Sequence, residues 1–192
     1  MTGRWGGKHG LSFEEYHSVP GEWEPLAVIA AHRALGGTFD IASTPRQAVG
    51  SSGKSDYRAL WYNVADGIRA GDAACIEIAI RFIEARIIVS YSGFARTRIA
   101  RALKGVPLSE PQRRRLSSHF LKLLEAGDKC DEFREYLKLW PMVINADDRR
   151  KALGVALKLE ASQSRFRKKL EDALSSNQSL QSGPAARGRP LS

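Results

Sequence analysis

A chain of 192 residues has room for one domain of ordinary size plus tails. Hydrophobic residues make up 43% of it, slightly under the usual globular share, so part of the length stays outside a packed core, and 30 Lys and Arg against 21 Asp and Glu leave a net charge of +9. These totals argue against a membrane-spanning protein, since no apolar run nears the ~20 residues of a span, and against a disulfide or zinc scaffold, since Cys75 and Cys130 belong to no C-x-x-C pair.

The first two dozen residues interrupt any apolar stretch with Gly, His and Glu, unlike a signal peptide, so the expected compartment is the cytoplasm. Residues 1–54 carry five charges of each sign and read as a poorly ordered N-terminal segment with one short helix over 25–35. The segment ends in AVGSSGKS (Ala48 to Ser55), a permitted spelling of the phosphate-binding loop. That loop works by joining a buried parallel strand to a helix, so that backbone amides and the lysine converge on phosphates. Here the preceding letters are STPRQ, polar and broken by Pro45, and everything after Ser55 reads as helix. The motif is read as a flexible joint whose Ser55 caps the next helix, and no nucleotide or other cofactor is expected.

Residues 55–174 form the expected domain, holding 23 basic and 16 acidic residues. Tyr57, Leu60, Trp61, Val64, Ala65 and Ile68 recur at helical spacing. Gly71 then suits a left-handed helix end and Asp72 the first amides of the next helix, giving an αα-hairpin. AACIEIAIRFIEARIIV is apolar almost all round, with only Glu77, Arg81 and Glu84 as a polar stripe, and is placed at the centre of the bundle. SGFARTRIARALKG turns Ala95, Ile99, Ala102 and Leu103 inward, and Gly105 and Pro107 stop it. The next helix opens with Ser109 as N-cap and Gln112 three residues on, a capping box, and buries Leu116, Phe120, Leu123 and Leu124 as far as Gly127. Phe133, Tyr136, Leu137 and Trp140 share a face of a helix that Pro141 should break or kink. From Asp147 to Leu174 there is one long helix, or two split around Ser162 and Ser164. Residues 175–192 are polar, punctuated by Pro and Gly, and read as a disordered tail. The fold class is therefore all-α, an irregular bundle of about five to seven short helices.

No histidine pair sits at metal-ligand spacing, and no catalytic dyad can be named. The chemistry-bearing feature is basic. Arg98, Arg101 and Lys104 form a stripe on the third of these helices; Arg113, Arg114, Arg115 and Lys122 lie on the fourth. Were those helices antiparallel neighbours, the two sets would merge into an anion-binding patch. Trp61, Tyr136 and Trp140 fall on apolar stripes, so no aromatics interleave with these basic runs along the chain. The expected function is that of a non-catalytic adaptor or regulatory protein acting on another protein. Binding of DNA or RNA on a basic face is the alternative.

Overall fold

The computed structural model describes residues 15, 18–43, 54–128, 132–160 and 163–175. The chain is all-α: among the described residues there are eight α-helices, one 3-10 turn and no strand. The turn Gly21–Trp23 precedes α1 (Pro25–Ala34). The bundle follows as α2 (Lys54–Arg69), α3 (Ala73–Ala85), α4 (Ser92–Leu103), α5 (Glu110–Glu125), α6 (Phe133–Val143), α7 (Ala146–Leu157) and α8 (Ser164–Ser175).

The helix boundaries follow from local chemistry. Gly71, at φ 81°, closes α2: its amide and that of Asp72 return to the carbonyls of Ile68 and Gly67, both at 2.9 Å. This paired return needs a residue that tolerates positive φ. Asp72 then caps α3 by accepting from the Cys75 amide at 2.7 Å. At α5 both halves of the Ser109–Gln112 capping box are made. Asn145 caps α7 by accepting from the Asp148 amide at 2.8 Å.

α3 is the hub, as its apolar circumference requires. Eight of its side chains, Ala74 through Ile83, are buried, and it packs on α1, α2, α4 and α5. Its polar stripe is answered by a neighbour: Arg115 of α5 reaches Glu77 at 2.9 Å and Glu84 at 2.5 Å. Two aromatic clusters fill the core. Trp61 stacks on Phe82 at 3.7 Å with Trp23 edge-on to Phe82, and Phe120 stacks on Tyr136 at 4.7 Å beside Trp140. All six are buried. Rings in offset or edge contact add about 0.5–1.5 kcal/mol per pair beyond the area they bury.

Several elements differ from the sequence expectation. α3 ends at Ala85, four residues short of Val89. Arg86 turns left-handed at φ 51°, and Ile87 to Val89 form a connector fixed by side chains. Arg96 donates to the Ile87 carbonyl at 2.6 Å and the Ser92 hydroxyl to that of Val89 at 2.8 Å. The apolar letters of that stretch thus continue the core without continuing the helix. α2 begins at Lys54, so Ser55 lies inside its first turn rather than capping it. At Pro141, where the sequence predicts a break or a kink, α6 is not broken: it runs on to Val143, and the Ile144 amide still reaches the Trp140 carbonyl at 2.8 Å. Of the two forms expected for the last segment, one long helix or two, the fold takes the second, α7 and α8.

Residues 18–43 also do more than carry one helix. Trp23, Val28 and Ile41 enter the same core as the bundle, so the packed unit starts well before Ser55. The tail beyond Ser175, Cys130 and residues Ala48 to Gly53 of the glycine-rich motif lie outside the described residues. No described helix is long and apolar enough to cross a membrane.

Candidate binding face

The fold separates the basic residues that the sequence singles out. α4 packs on α2, α3 and α6, while α5 packs on α3, α6 and α7; α4 and α5 do not touch. Arg98, Arg101 and Lys104 therefore stand apart from Arg113, Arg114, Arg115 and Lys122. On α5 the charge is largely answered. Arg113 and Arg114 both pair with Glu110 at 2.8 Å, and Arg115 is held charged by Glu84 and Glu77. Lys122 is exposed, with no carboxylate in ion-pair reach among the described residues.

The α4 stripe has a different setting, because its neighbours add cations and rings. Phe94, Arg98 and Arg101 follow at i, i+4 and i+7, one outward face. On the α2 side the Arg98 guanidinium lies 3.4 Å from the centre of the Tyr62 ring. One helical turn earlier, Arg58 lies 5.6 Å from the Tyr62 ring and 5.3 Å from Tyr91, and donates to the Tyr62 hydroxyl at 3.3 Å. Tyr91 stacks on Phe94 at 5.8 Å, and Phe94 is 74% exposed. Neither Arg58 nor Arg98 has a carboxylate in ion-pair reach among the described residues. Both guanidiniums rest on aromatic faces with their N–H edges unclaimed by any acid.

On the α6 side one buried carboxylate serves three cations. Arg101 reaches Glu135 Oε1 at 3.2 Å, Lys138 reaches it at 2.8 Å, and Lys104 stands 3.7 Å from Oε2. Burial works to raise the Glu135 pKa, but the hydrogen bonds from Arg101 and Lys138 outweigh it and bring it to about 2. Glu135 Oε2 itself is buried without a hydrogen bond. Arg101 remains 59% exposed, so the cations look outward from their shared anchor. Next along α2, Asp66 is taken by Arg69 at 2.5 Å and does not discharge the face.

Backbone geometry holds the rings in place. Tyr91 sits at φ 73°, a left-handed conformation costly for a residue with a bulky side chain. Such conformations survive where their surroundings over-determine them. Here the Tyr91 carbonyl accepts from Ala95, and Ser92 clips back to Val89. The Tyr62 hydroxyl, facing Arg58 first and Tyr91 next, is lowered to about 8, while burial raises that of Tyr91 to about 12. No family model, curated protein or solved structure matches the chain.

A second group of polar side chains lies between α1 and α3. His32, Asp72 and Cys75 are buried with their ligand-type atoms within 4.8 Å of one another. Asp72 is already saturated: Oδ1 takes the Cys75 amide and His32 Nε2 (3.1 Å), and Oδ2 takes the amides of Thr38 (2.8 Å) and Phe39 (3.0 Å). Burial works to raise this carboxyl, and those backbone bonds hold it well below its usual range. Burial, then the Asp72 charge, pushes the Cys75 thiol up, away from the thiolate a metal or nucleophile needs. The backbone also closes on the cluster. A Cβ on Gly37 would fall 2.1 Å from His32 Nε2, and one on Gly67 would fall 2.4 Å from Cys75 Sγ. The group is a structural clasp that fastens the loop after α1 to the start of α3.

Arg58, Tyr62, Tyr91, Phe94 and Lys138 were not among the basic-face residues the sequence reading named. A signal existed: Arg58–Tyr62 and Phe94–Arg98 are both arginine–aromatic pairs at i, i+4, a spacing that puts ring and guanidinium on one helix face.

Proposed function

We propose that this chain works as a binding protein whose docking surface is the face built by α2, α4 and α6, and that the partner is rich in negative charge. The observation that carries the reading is the pair Arg58 and Arg98, set over the rings of Tyr62 and Tyr91 with no carboxylate in ion-pair reach among the described residues. An ordinary solvated arginine is paired or extended into water. These two lie against rings instead, Arg98 3.4 Å from the Tyr62 centroid and Arg58 5.3 Å from that of Tyr91, and a guanidinium already placed has less freedom to lose on contacting an anion. Arg101 and Lys138, sharing Glu135, extend the positive surface across α4. An adaptor that meets an acidic protein surface and a nucleic-acid-binding protein both fall within this reading.

The test compares two sets of arginines. Retention on immobilised heparin is measured for the wild type, for Arg58→Ala/Arg98→Ala/Arg101→Ala, and for Arg113→Ala/Arg114→Ala. The first variant should elute at clearly lower salt, and the second close to the wild type, since its arginines are spent on Glu110. Equal losses in both would mean that retention follows total charge, and the assignment of this face would fall.

A further inference from the structure

Resting on that reading, we propose that the partner is single-stranded nucleic acid, with bases stacked along Phe94 and Tyr91 and phosphates held by Arg58, Arg98, Arg101 and Lys138. Charge alone does not separate an acidic peptide from a nucleic acid. The aromatic arm does. Phe94 is 74% exposed, yet it is no stray apolar residue: Tyr91, the left-handed residue before α4 at φ 73°, is stacked on one side of it. A large ring kept in water beside unpaired guanidiniums suits a ligand that brings flat π-faces and anions together at short repeat, as a nucleotide chain does. A carboxylate-rich peptide would satisfy the arginines and leave that ring with nothing to cover it. A duplex hides its base faces in the stack and would meet only the cations.

The dimensions agree. From Phe94 to Lys104 the stripe on α4 runs about 15 Å at the helical rise, enough for a few nucleotides, with the ring at one end and the Glu135-anchored cations toward the other. The α2 arginine Arg58 flanks the ring end beside Tyr91. Bases therefore meet the Tyr91–Phe94 end, and the backbone tracks along α4 toward Lys138.

The experiment uses the full chain and fluorescence anisotropy with four probes: a single-stranded oligothymidylate of roughly 12 nucleotides, an abasic strand with the same number of phosphates, a duplex of the same length, and a poly-glutamate peptide of matched charge. The base-bearing strand should bind on the order of tenfold more tightly than the abasic one, as stacking of one or two bases requires. Phe94→Ala should erase that difference while leaving abasic binding unchanged. Because Phe94 is exposed, this variant does not threaten the fold. Neutralising about four phosphates should cost roughly 50-fold in affinity between 50 and 200 mM salt.

Equal affinity for base-bearing and abasic strands, or a preference for the duplex or the peptide, overturns the single-strand assignment. In each of those cases a drop for the Arg58/Arg98/Arg101 variant still upholds the anion-binding face. If none of the four probes binds and the protein is not retained on heparin, both readings fall together.

Discussion

Asp72→Ala should loosen the N-terminal part of the protein before the rest of the bundle. The wild-type side chain is 4% exposed, and its carboxylate takes three backbone amides, those of Thr38, Phe39 and Cys75, together with the His32 ring. Losing a good N-cap costs ~1 kcal/mol. A buried donor left without an acceptor costs about 1–3 kcal/mol, with the lower end fitting Thr38 and Phe39, which water can reach. The sum, about 3–5 kcal/mol, is a large part of the ~5–15 kcal/mol that holds a typical domain. Urea titration should show the unfolding free energy falling by that amount, as a lower midpoint at unchanged slope. Hydrogen exchange should show the amides of Thr38 and Phe39 losing protection well before those of α5 or α6. The pH sign is fixed too. The carboxyl is depressed in the folded state, so its contribution is complete above the unfolded value of about 3.9 and is lost as pH falls through the lower folded value. The variant should lack that part of the acid-limb destabilisation. A loss under ~1 kcal/mol with unchanged protection at 38 and 39 would refute the clasp, because the bonds would then contribute no more than exposed ones do.

Two further perturbations probe the interior. Gly67→Ala would place a methyl 2.4 Å from Cys75 Sγ and 3.0 Å from the Phe39 ring, so thermal unfolding should register about 1–3 kcal/mol of overpacking. Adding Cys75→Ala should recover part of that loss, and strict additivity of the two changes would speak against the contact. His119 has its Nε2 buried without a partner, and burial lowers its pKa to about 4. The unfolded chain therefore binds the proton first, and stability should decline as pH drops from ~6.5 toward 4. His119→Gln should flatten that limb in a pH series of denaturant midpoints, and an unchanged slope would place the titration elsewhere.

The helices were legible because each is written in contiguous letters. The apolar positions read from Tyr57 to Ile68, from Ala95 to Leu103, and from Leu116 to Leu124 are the ones the fold buries. Gly71, Asp72 and Ser109 fulfil the capping roles that their positions dictate. Legibility failed where a side chain from elsewhere decides the backbone. Ile87 to Val89 spell helix, but Arg96 claims the Ile87 carbonyl and is itself buried against Glu132 at 2.5 Å, with both side chains 7% exposed. A buried pair this costly to desolvate requires close geometry on both sides. The connector is shaped around it. No window of residues 86–89 contains that information.

The proposed binding face obeys the same logic one level higher. Read along the chain, the densest run of arginines is Arg113 to Arg115, and it attracts attention for that reason. Local density is a poor guide, because the same density places acids within one helical turn, and Glu110 takes two of the three. The third faces inward across the hub helix. What leaves a cation available is that no carboxylate comes within ion-pair reach of it among the described residues, and where α2 meets Arg98 it presents Tyr62 instead. Arg58 and Arg98 lie 40 positions apart, and each looks unremarkable in its own helix. They become a pair only because α2 and α4 pack side by side and put one ring, Tyr62, between them. If that ring is what keeps the two guanidiniums ordered, Tyr62→Leu should weaken anion binding without removing any charge. Net charge sets how strongly an anion is drawn toward the molecule; the stacking partner sets where it is held.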